Sequence, residues 1–355
     1  MVKVNKNNKT VFVGMSGGVD SSVAAGLLKK QGYEVIGVHL KCYNLDGCAD
    51  RDLEDARRAA EVLNIPFYVW DYEKEYKKDV MQYMINGYKK GITPNPDVMC
   101  NKEIKFGLFL EKALKMGSDY VATGHYVKIR RGKKQKLFIA DDKNKDQSYF
   151  LWTLTQKQLK YCLFPLSDVK KPEVRKLARK FELLNADKKD SQGICFLGKV
   201  GLEKFLKKYI KPKKGNIVDI EGNVLGRHEG VFYYTVGQRH GLYLNGVAKS
   251  PDSEPYYVSD KILKTNTIVV AQGENNPALF KKEVRLVGVN LIDQVKNGQS
   301  VWARVRYRQP LFKAKLIMNN GCKLIFLKPQ KFIAVGQSAV FYTRSGEMLG
   351  GGTIK

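Results

Sequence analysis

Two groups of residues in this 355-residue chain have types and spacing suited to chemistry. The first is GMSGGVDSS at 14–22, between a short apolar run and a stretch with helical periodicity. Gly17 and Gly18 can take backbone angles that other residues avoid and can approach a ligand closely. Ser16, Ser21 and Ser22 add hydroxyls. The first N–H groups of the following helix have no intrahelical partner and carry partial positive charge. Together these features form an anion cradle. It is not the GxxxxGK[ST] phosphate loop, because no lysine follows the second glycine. Asp20, at the helix start, can cap the helix or hold Mg2+. The second group is a pair of distant cysteines. NPDVMC (95–100) puts Asp97 ahead of Cys100 on a Pro-stiffened loop leading into a helix, where a thiolate is stabilised. DSQGIC (190–195) puts Cys195 between glycines, on a loop.

SGGVDSS resembles the signature of PP-loop ATP pyrophosphatases, which split ATP into AMP and pyrophosphate to adenylate an oxygen. That oxygen then leaves readily when a nucleophile attacks. The loop alone does not select a substrate. Two thiols within reach of one substrate atom suit sulfur transfer. One carries the sulfur as a persulfide and the other attacks that persulfide, leaving a disulfide for later reduction. At that stage the two Cα atoms must lie within about 7 Å. Cys162, in YCLFPL, and Cys322, in a strand turn, read as small apolar residues. Cys42 and Cys48 have a loose metal-like spacing but no second ligand pair nearby.

The whole constellation resembles the bacterial and organellar tRNA-specific 2-thiouridylases. The resemblance runs through GMSGGVDSS, GVHLKCY, TPNPDVMCNKEIKFG, ATGHY, KDQSYFLW, SQGICFL, GQRHGL, RVRYRQ and GQSAVFY. It implies that ATP is held by Gly14, Met15, Ser16, Gly17, Gly18, Val19, Asp20 and Ser21, with Leu40 and Gly124. Leu40 stands where the family often has Met, and the apolar contact with adenine is kept. The resemblance places Asn95, Pro96 and Asp97 at the target base, with Asp97 as acid or base. Cys100 becomes the nucleophile, Cys195 the persulfide carrier, and the two form a transient disulfide. Lys145, Asp146, Gln147, Arg306 and Tyr307 are implied tRNA contacts, with His125 and Gln337 close by. The implied substrate is the wobble uridine, position 34, of Lys, Glu and Gln tRNAs. ATP with Mg2+ is consumed, and a relay protein donates the sulfur.

The elements that must position these groups alternate β and α up to about residue 200. TVFVGM (10–15), YEVIGVHL (33–40), IPFYVWDY (65–72) and DYVATGHY (119–126) read as strands, and the segments between them as helices. That order implies α/β architecture with a doubly wound parallel sheet. LEKFLKKYI reads as a last helix. From 214 onward, Gly-punctuated β-runs dominate: VRLVGVNLI (284–292), SVWARVRYRQ (300–309), KAKLIMNNGCKLIFL (313–327) and SAVFYT (338–343). They suggest a small antiparallel barrel at the C-terminal end. The division expected is a PP-loop catalytic domain over 1–205, a central β-rich domain contacting tRNA over 206–280, and a C-terminal barrel over 281–355.

Composition narrows the partners. Sixty-two Lys and Arg against 35 Asp and Glu leave a formal +27, a surface that attracts phosphate backbones. If strand periodicity continues through RVRYRQ, Arg304, Arg306 and Arg308 fall on one side, and Tyr307 offers a surface for base stacking. KIRRGKKQK (128–136) reads as a basic hairpin, either gripping phosphates or merely charged. His39 and His228 read as structural. The first residues do not resemble a signal peptide, and no apolar run approaches the ~20 residues of a membrane span. Six cysteines in such a chain read as reduced thiols, which fits the cytoplasm. Two other readings stay open. One is another PP-loop ligase, although the cysteine-based ones need a Cys-x-x-Cys motif that this chain lacks. The other is an RNA-binding module regulated by nucleotide. An iron–sulfur cluster held by Cys100, Cys195 and Asp97 also stays open, since oxygen can replace a third thiolate.

Overall fold

The computed structural model describes residues 9–43, 48–189, 201–244 and 254–355. Its first unit is built on a five-stranded, fully parallel sheet in the order β3-β2-β1-β4-β7. The strands are β1 (Thr10–Gly14), β2 (Glu34–Lys41), β3 (Phe67–Asp71), β4 (Tyr120–Thr123) and the short β7 (Cys162–Leu163). Val11, Phe12 and Val13 of central β1 are apolar and buried because both of its faces are covered, as in sheets flanked by helices. Val11 and Val13 pack against α1 (Val19–Lys30) and α2 (Cys48–Val62). Phe12 packs on the opposite face with Trp70, Ile104 and Phe109. A small hairpin of β5 (Lys128–Arg130) and β6 (Lys136–Phe138) follows β4.

The chain first builds outward from β1 to β3, then returns and adds β4 and β7 on the other side. The order therefore reverses between β1 and β4. The crevice at the carboxyl ends of those two strands is where open α/β sheets place their ligands.

The second unit is a four-stranded sheet in the order β10-β11-β8-β9. Its strands are β8 (Gly215–Val218), β9 (Val224–His228), β10 (Tyr256–Ile262) and β11 (Thr267–Gln272). The third is a closed, antiparallel, six-stranded barrel. It consists of β12 (Phe280–Leu291), β13 (Gln299–Arg304), β14 (Phe312–Ile317), β15 (Cys322–Lys331), β16 (Ser338–Tyr342) and β17 (Met348–Ile354).

Two expectations need correction here. KAKLIMNNGCKLIFL is two strands, β14 and β15, because Asn320 and Gly321 take positive φ and reverse the chain. The run 300–309 is not one strand. β13 stops at Arg304, and Arg308 adopts φ 62° in a turn closed by the Val305 N–H donating to Gln309 Oε1 at 2.8 Å.

The largest core does not respect the division into units. It runs from Phe12 and Phe109 through Tyr149 and Trp152 to Val231 and Val258 of the second unit and Val340 and Tyr342 of the barrel. Ser148–Trp152 acts as the plug between sheet and barrel. The Tyr149 hydroxyl donates to the Ser338 carbonyl at 2.8 Å, and Trp152 Nε1 donates to Ser338 Oγ at 2.9 Å.

Candidate active site

The loop after β1 closes on itself. The Ser16 N–H donates to Ser21 Oγ at 3.1 Å, and Ser21 Oγ donates to the Gly18 carbonyl at 3.0 Å. Gly17 has φ 76°, and a Cβ there would lie 2.1 Å from the Asp52 carbonyl oxygen. Gly124, just after β4, touches the start of α1, where a Cβ would sit 2.7 Å from the Ser21 nitrogen. Gly124 thus lets the carboxyl end of β4 meet the start of α1 at the sheet's reversal. Val19 and Met15 are buried beneath the loop, and Leu40 is half-buried at the end of β2.

No side chain caps α1. Of the two tasks open to Asp20, capping is therefore not the one seen. Its Oδ1 accepts from Lys171 Nζ and from the Tyr126 hydroxyl, each at 2.7 Å. A second lysine, Lys188, places Nζ 3.3 Å from the Gly17 carbonyl, between Asp52 at 2.7 Å and Asp55 at 2.6 Å. Burial works against the Lys188 charge, but the hydrogen bonds to the two carboxylates outweigh it and leave its pKa raised. Asn185 Nδ2 donates to the Gly17 carbonyl at 3.1 Å. Lys171, Lys188 and Asn185 thus hold the loop through Asp20, the Gly17 carbonyl and the Asp52–Asp55 pair. Sequence reasoning missed Lys171, Lys188, Asn185 and Tyr126. Two lysines among 62 Lys and Arg carry no signal of their own.

The Asn95–Cys100 segment is helical sooner than its prolines suggest. Asn95 Oδ1 accepts the Val98 N–H at 3.2 Å, and Pro96 takes the first helical position, where its missing N–H is harmless. The helix continues through Cys100–Leu108 with a wider π pitch into Phe109–Lys115. Cys100 is 5% exposed and Asp97 half-buried. Burial pushes the Asp97 carboxyl above its ordinary value, and the Lys105 cation only partly offsets this. His125, against Phe106 and Phe164, is held well below its ordinary value by burial and then by the same Lys105. Lys105 thus links the Asp97 segment to the loop after β4. Cys195 lies outside the described residues. Cys162 is fully buried, its thiol pushed up by desolvation and donating to the Gln158 carbonyl at 3.2 Å.

His39, His125 and His228 are all depressed by burial, and the sign of the consequence follows. The unfolded chain takes up protons below about pH 6.5 where these rings resist them, so stability falls as pH drops through and below that value. Asp97, shifted upward, contributes with the opposite sign. The denaturant midpoint is therefore expected to fall from neutral to mildly acidic pH, with a shallower slope in His125→Gln.

The residues expected at tRNA divide. Lys145 is half-buried near the surface. Gln147 Oε1 accepts the Tyr126 N–H at 3.0 Å, which shapes the loop after β4. Asp146 is 3% exposed and caps the backbone N–H groups of Ala140 and Ser148. It also accepts from Arg304 at 2.8 Å. Arg304, itself buried, lies over the Tyr342 ring, while Arg306 donates to the Val236 carbonyl and Arg308 is exposed. The expected stripe of three arginines is absent, because the strand ends where it would begin. Tyr307 packs on Phe150 with ring centroids 4.5 Å apart. Gln337 donates to the carbonyls of Thr93 and Pro94. Asp146→Asn, which strands Arg304 in the core, is expected to cost about 3–5 kcal/mol in denaturant unfolding. On the basic hairpin, Lys134 and Lys136 pair with Asp293 and Glu347, and Arg131 donates to the carbonyls of Lys160 and Cys162.

Family models match three consecutive segments. A tRNA methyl transferase HUP domain covers 9–199, a tRNA methyl transferase PRC-barrel domain 203–272, and an aminomethyltransferase beta-barrel domain 281–354. The chain is 48% identical to the tRNA-specific 2-thiouridylase MnmA 1 of Geobacillus kaustophilus, across 94% of this chain and 92% of the relative. This chain belongs to the tRNA-specific 2-thiouridylase family. Further 2-thiouridylases from Alkaliphilus oremlandii and Bacillus subtilis are 44% and 43% identical over 100% and 97% of this chain, and 99% and 94% of their own lengths. The likeness to these 2-thiouridylases therefore extends over sheet, central unit and barrel together. Among the described residues, no helix is long and apolar enough to cross a membrane, and no three His, Cys, Asp or Glu side chains gather as metal ligands.

Proposed function

We propose that this chain is an ATP-dependent tRNA-uridine 2-sulfurtransferase acting on the wobble uridine, position 34, of Lys, Glu and Gln tRNAs in the cytoplasm. What carries the reading is full-length likeness to relatives named for that activity. The domain reading remains 1–205 for catalysis, 206–280 for the central tRNA-contacting part and 281–355 for the barrel.

The residues present suit ATP. Gly17 and Gly124 let the loop pack tightly against Asp52 and the start of α1, and the first N–H groups of α1, which no side chain caps, suit a polyphosphate. Mg2+ would be held by Asp20 and the nucleotide's own phosphates, as this ion commonly is, and would neutralise charge on the leaving pyrophosphate. The uridine turns out of its stack to enter the crevice. Its O2 attacks the α-phosphorus and pyrophosphate leaves. The terminal sulfur of a Cys195 persulfide then attacks C2 and expels AMP. Cys100 attacks the Cys195 sulfur, and the electron pair of the broken S–S bond becomes the thiocarbonyl. A Cys100–Cys195 disulfide remains; two equivalents of an external thiol reduce it, leaving as their own disulfide, and a relay protein's persulfide then supplies the next sulfur to the freed Cys195 thiolate. Asp97, kept protonated closer to neutrality by burial, is suited to handling the uridine's proton. In this reading Lys145, Arg306 and Tyr307 would contact the tRNA. An iron–sulfur alternative would also draw on Cys195.

Pyrophosphate release measured with and without tRNA tests the adenylation half. tRNA-dependent release of pyrophosphate and AMP is expected. Release of neither would overturn the proposal and favour an RNA-binding module.

A further inference from the structure

Gly91–Asn95 leads directly into the helix bearing Asp97 and Cys100, and every side of that approach is held. The Pro94 ring lies against Gly87, where a Cβ would sit 2.8 Å from Pro94 Cγ. Thr93 Oγ1 donates to Thr235 Oγ1 of the central unit at 3.2 Å. The Thr93 N–H donates to the Val335 carbonyl of the barrel at 2.7 Å. Gly336, at φ 93°, lies so close that a Cβ would be 2.8 Å from the Thr93 carbonyl oxygen. Gln337 completes the grip. Its Nε2 donates to the Thr93 carbonyl at 3.0 Å and to the Pro94 carbonyl at 3.1 Å.

A single planar amide that spends both hydrogens on two successive carbonyls fixes the backbone between them. That backbone ends at Asn95, whose side chain caps the helix. Gln337 is itself anchored by the last strand. Its carbonyl accepts the Ile354 N–H at 2.8 Å, and the Gly336 N–H donates to the Ile354 carbonyl at 2.8 Å. With both amide hydrogens engaged, only Oε1 is left to meet a nucleic acid.

We infer that Gln337 is a positioning residue: the barrel sets the orientation of the Asp97–Cys100 segment through the Thr93 and Pro94 carbonyls. The inference rests on the sulfur-transfer reading of that segment. A displacement of about 1 Å at reacting groups is enough to cost a large factor in rate. Gln337→Glu keeps the shape but turns carboxylate oxygens on two carbonyls, Gln337→Met removes the donors, and Gln337→Lys restores N–H donors.

The test measures kcat and KM for tRNA in thiolation, together with the rate of Cys100 alkylation by iodoacetamide. In Gln337→Glu and Gln337→Met, kcat is expected to fall on the order of tenfold or more with KM for tRNA within about twofold of the parent. Cys100 alkylation should change in the same variants, and Gln337→Lys should regain most of kcat. A raised KM with unchanged kcat, or no change in either, would overturn the inference. Thr235→Val, which releases the loop from its other side, should lower kcat with the same pattern. If the Gln337 variants do not fold, an unchanged kcat in Thr235→Val overturns the inference by itself. The parent enzyme and Cys100→Ser are run alongside. A parent that thiolates nothing, or a fully active Cys100→Ser, defeats the underlying reading instead.

Discussion

Cys100→Ser is expected to lower thiolation by at least about a thousandfold, a loss of the size seen when a nucleophile is removed. A serine hydroxyl cannot attack the Cys195 sulfur to form the disulfide, so the reaction stops at the adduct in which C2 is joined to Cys195 through two sulfurs, after AMP has left. Pyrophosphate release in the presence of tRNA should persist within a few-fold of the parent, because the cradle around Ser16 and Ser21 is untouched. The position is 5% exposed, so a hydroxyl there also carries a burial cost of about 1–3 kcal/mol. Cys100→Ala separates the two effects. If chemistry is responsible, both variants lose thiolation equally despite different unfolding midpoints. Cys195→Ser should share the loss of thiolation but stop one step earlier, at the adenylated base with no sulfur on C2. A Cys100→Ser enzyme that thiolates at the parental rate would remove this cysteine from the mechanism.

Gly124→Ala is expected to cripple the first half of the reaction. The new methyl would lie 2.7 Å from the Ser21 nitrogen and 2.8 Å from the Asp20 carbonyl carbon. Both are backbone atoms at the start of α1, so no side chain can rotate away, and the crowding must displace either the cradle or the loop after β4. Such overpacking costs about 1–3 kcal/mol in stability. A shift of about 1 Å in the phosphate donors is expected to cost about a hundredfold in pyrophosphate release. Gly201→Ala is the control, since that site has ordinary φ and nothing within 4 Å of an added Cβ. It should leave the rate unchanged. Stopped-flow or radiolabelled pyrophosphate assays read both variants.

How much of this was legible in the sequence depended on local signal. β1 and the cradle stood out because a strand buried on both faces is a continuous apolar run and the turn after it concentrates glycines and serines. Other features depended on distant contacts. β17 went unread because MLGGGTI looks like a loop. Its glycines are required by neighbours far away in sequence: a Cβ at Gly351 would lie 2.7 Å from Trp152 Cγ, and one at Gly350 2.3 Å from the Asn290 carbonyl oxygen. Pro96 suggested a loop, yet a proline at the first helical position, preceded by a capping Asn95, is a helix start. The arginines at 304–308 followed strand alternation on paper. Burial of Arg304 against Asp146 and the left-handed Arg308 divided them into three environments. Lys171 and Lys188 were hidden by abundance, because only the folded chain shows which of many lysines reach Asp20 and Gly17.

The most direct test is nucleoside mass spectrometry of tRNA treated with the parent enzyme, ATP, Mg2+, a persulfide as sulfur donor and a thiol reductant. The account predicts that the wobble uridine exchanges one oxygen for sulfur, and only when ATP is present. An unmodified wobble uridine, or a mass gain of a methyl group in place of sulfur, would contradict it.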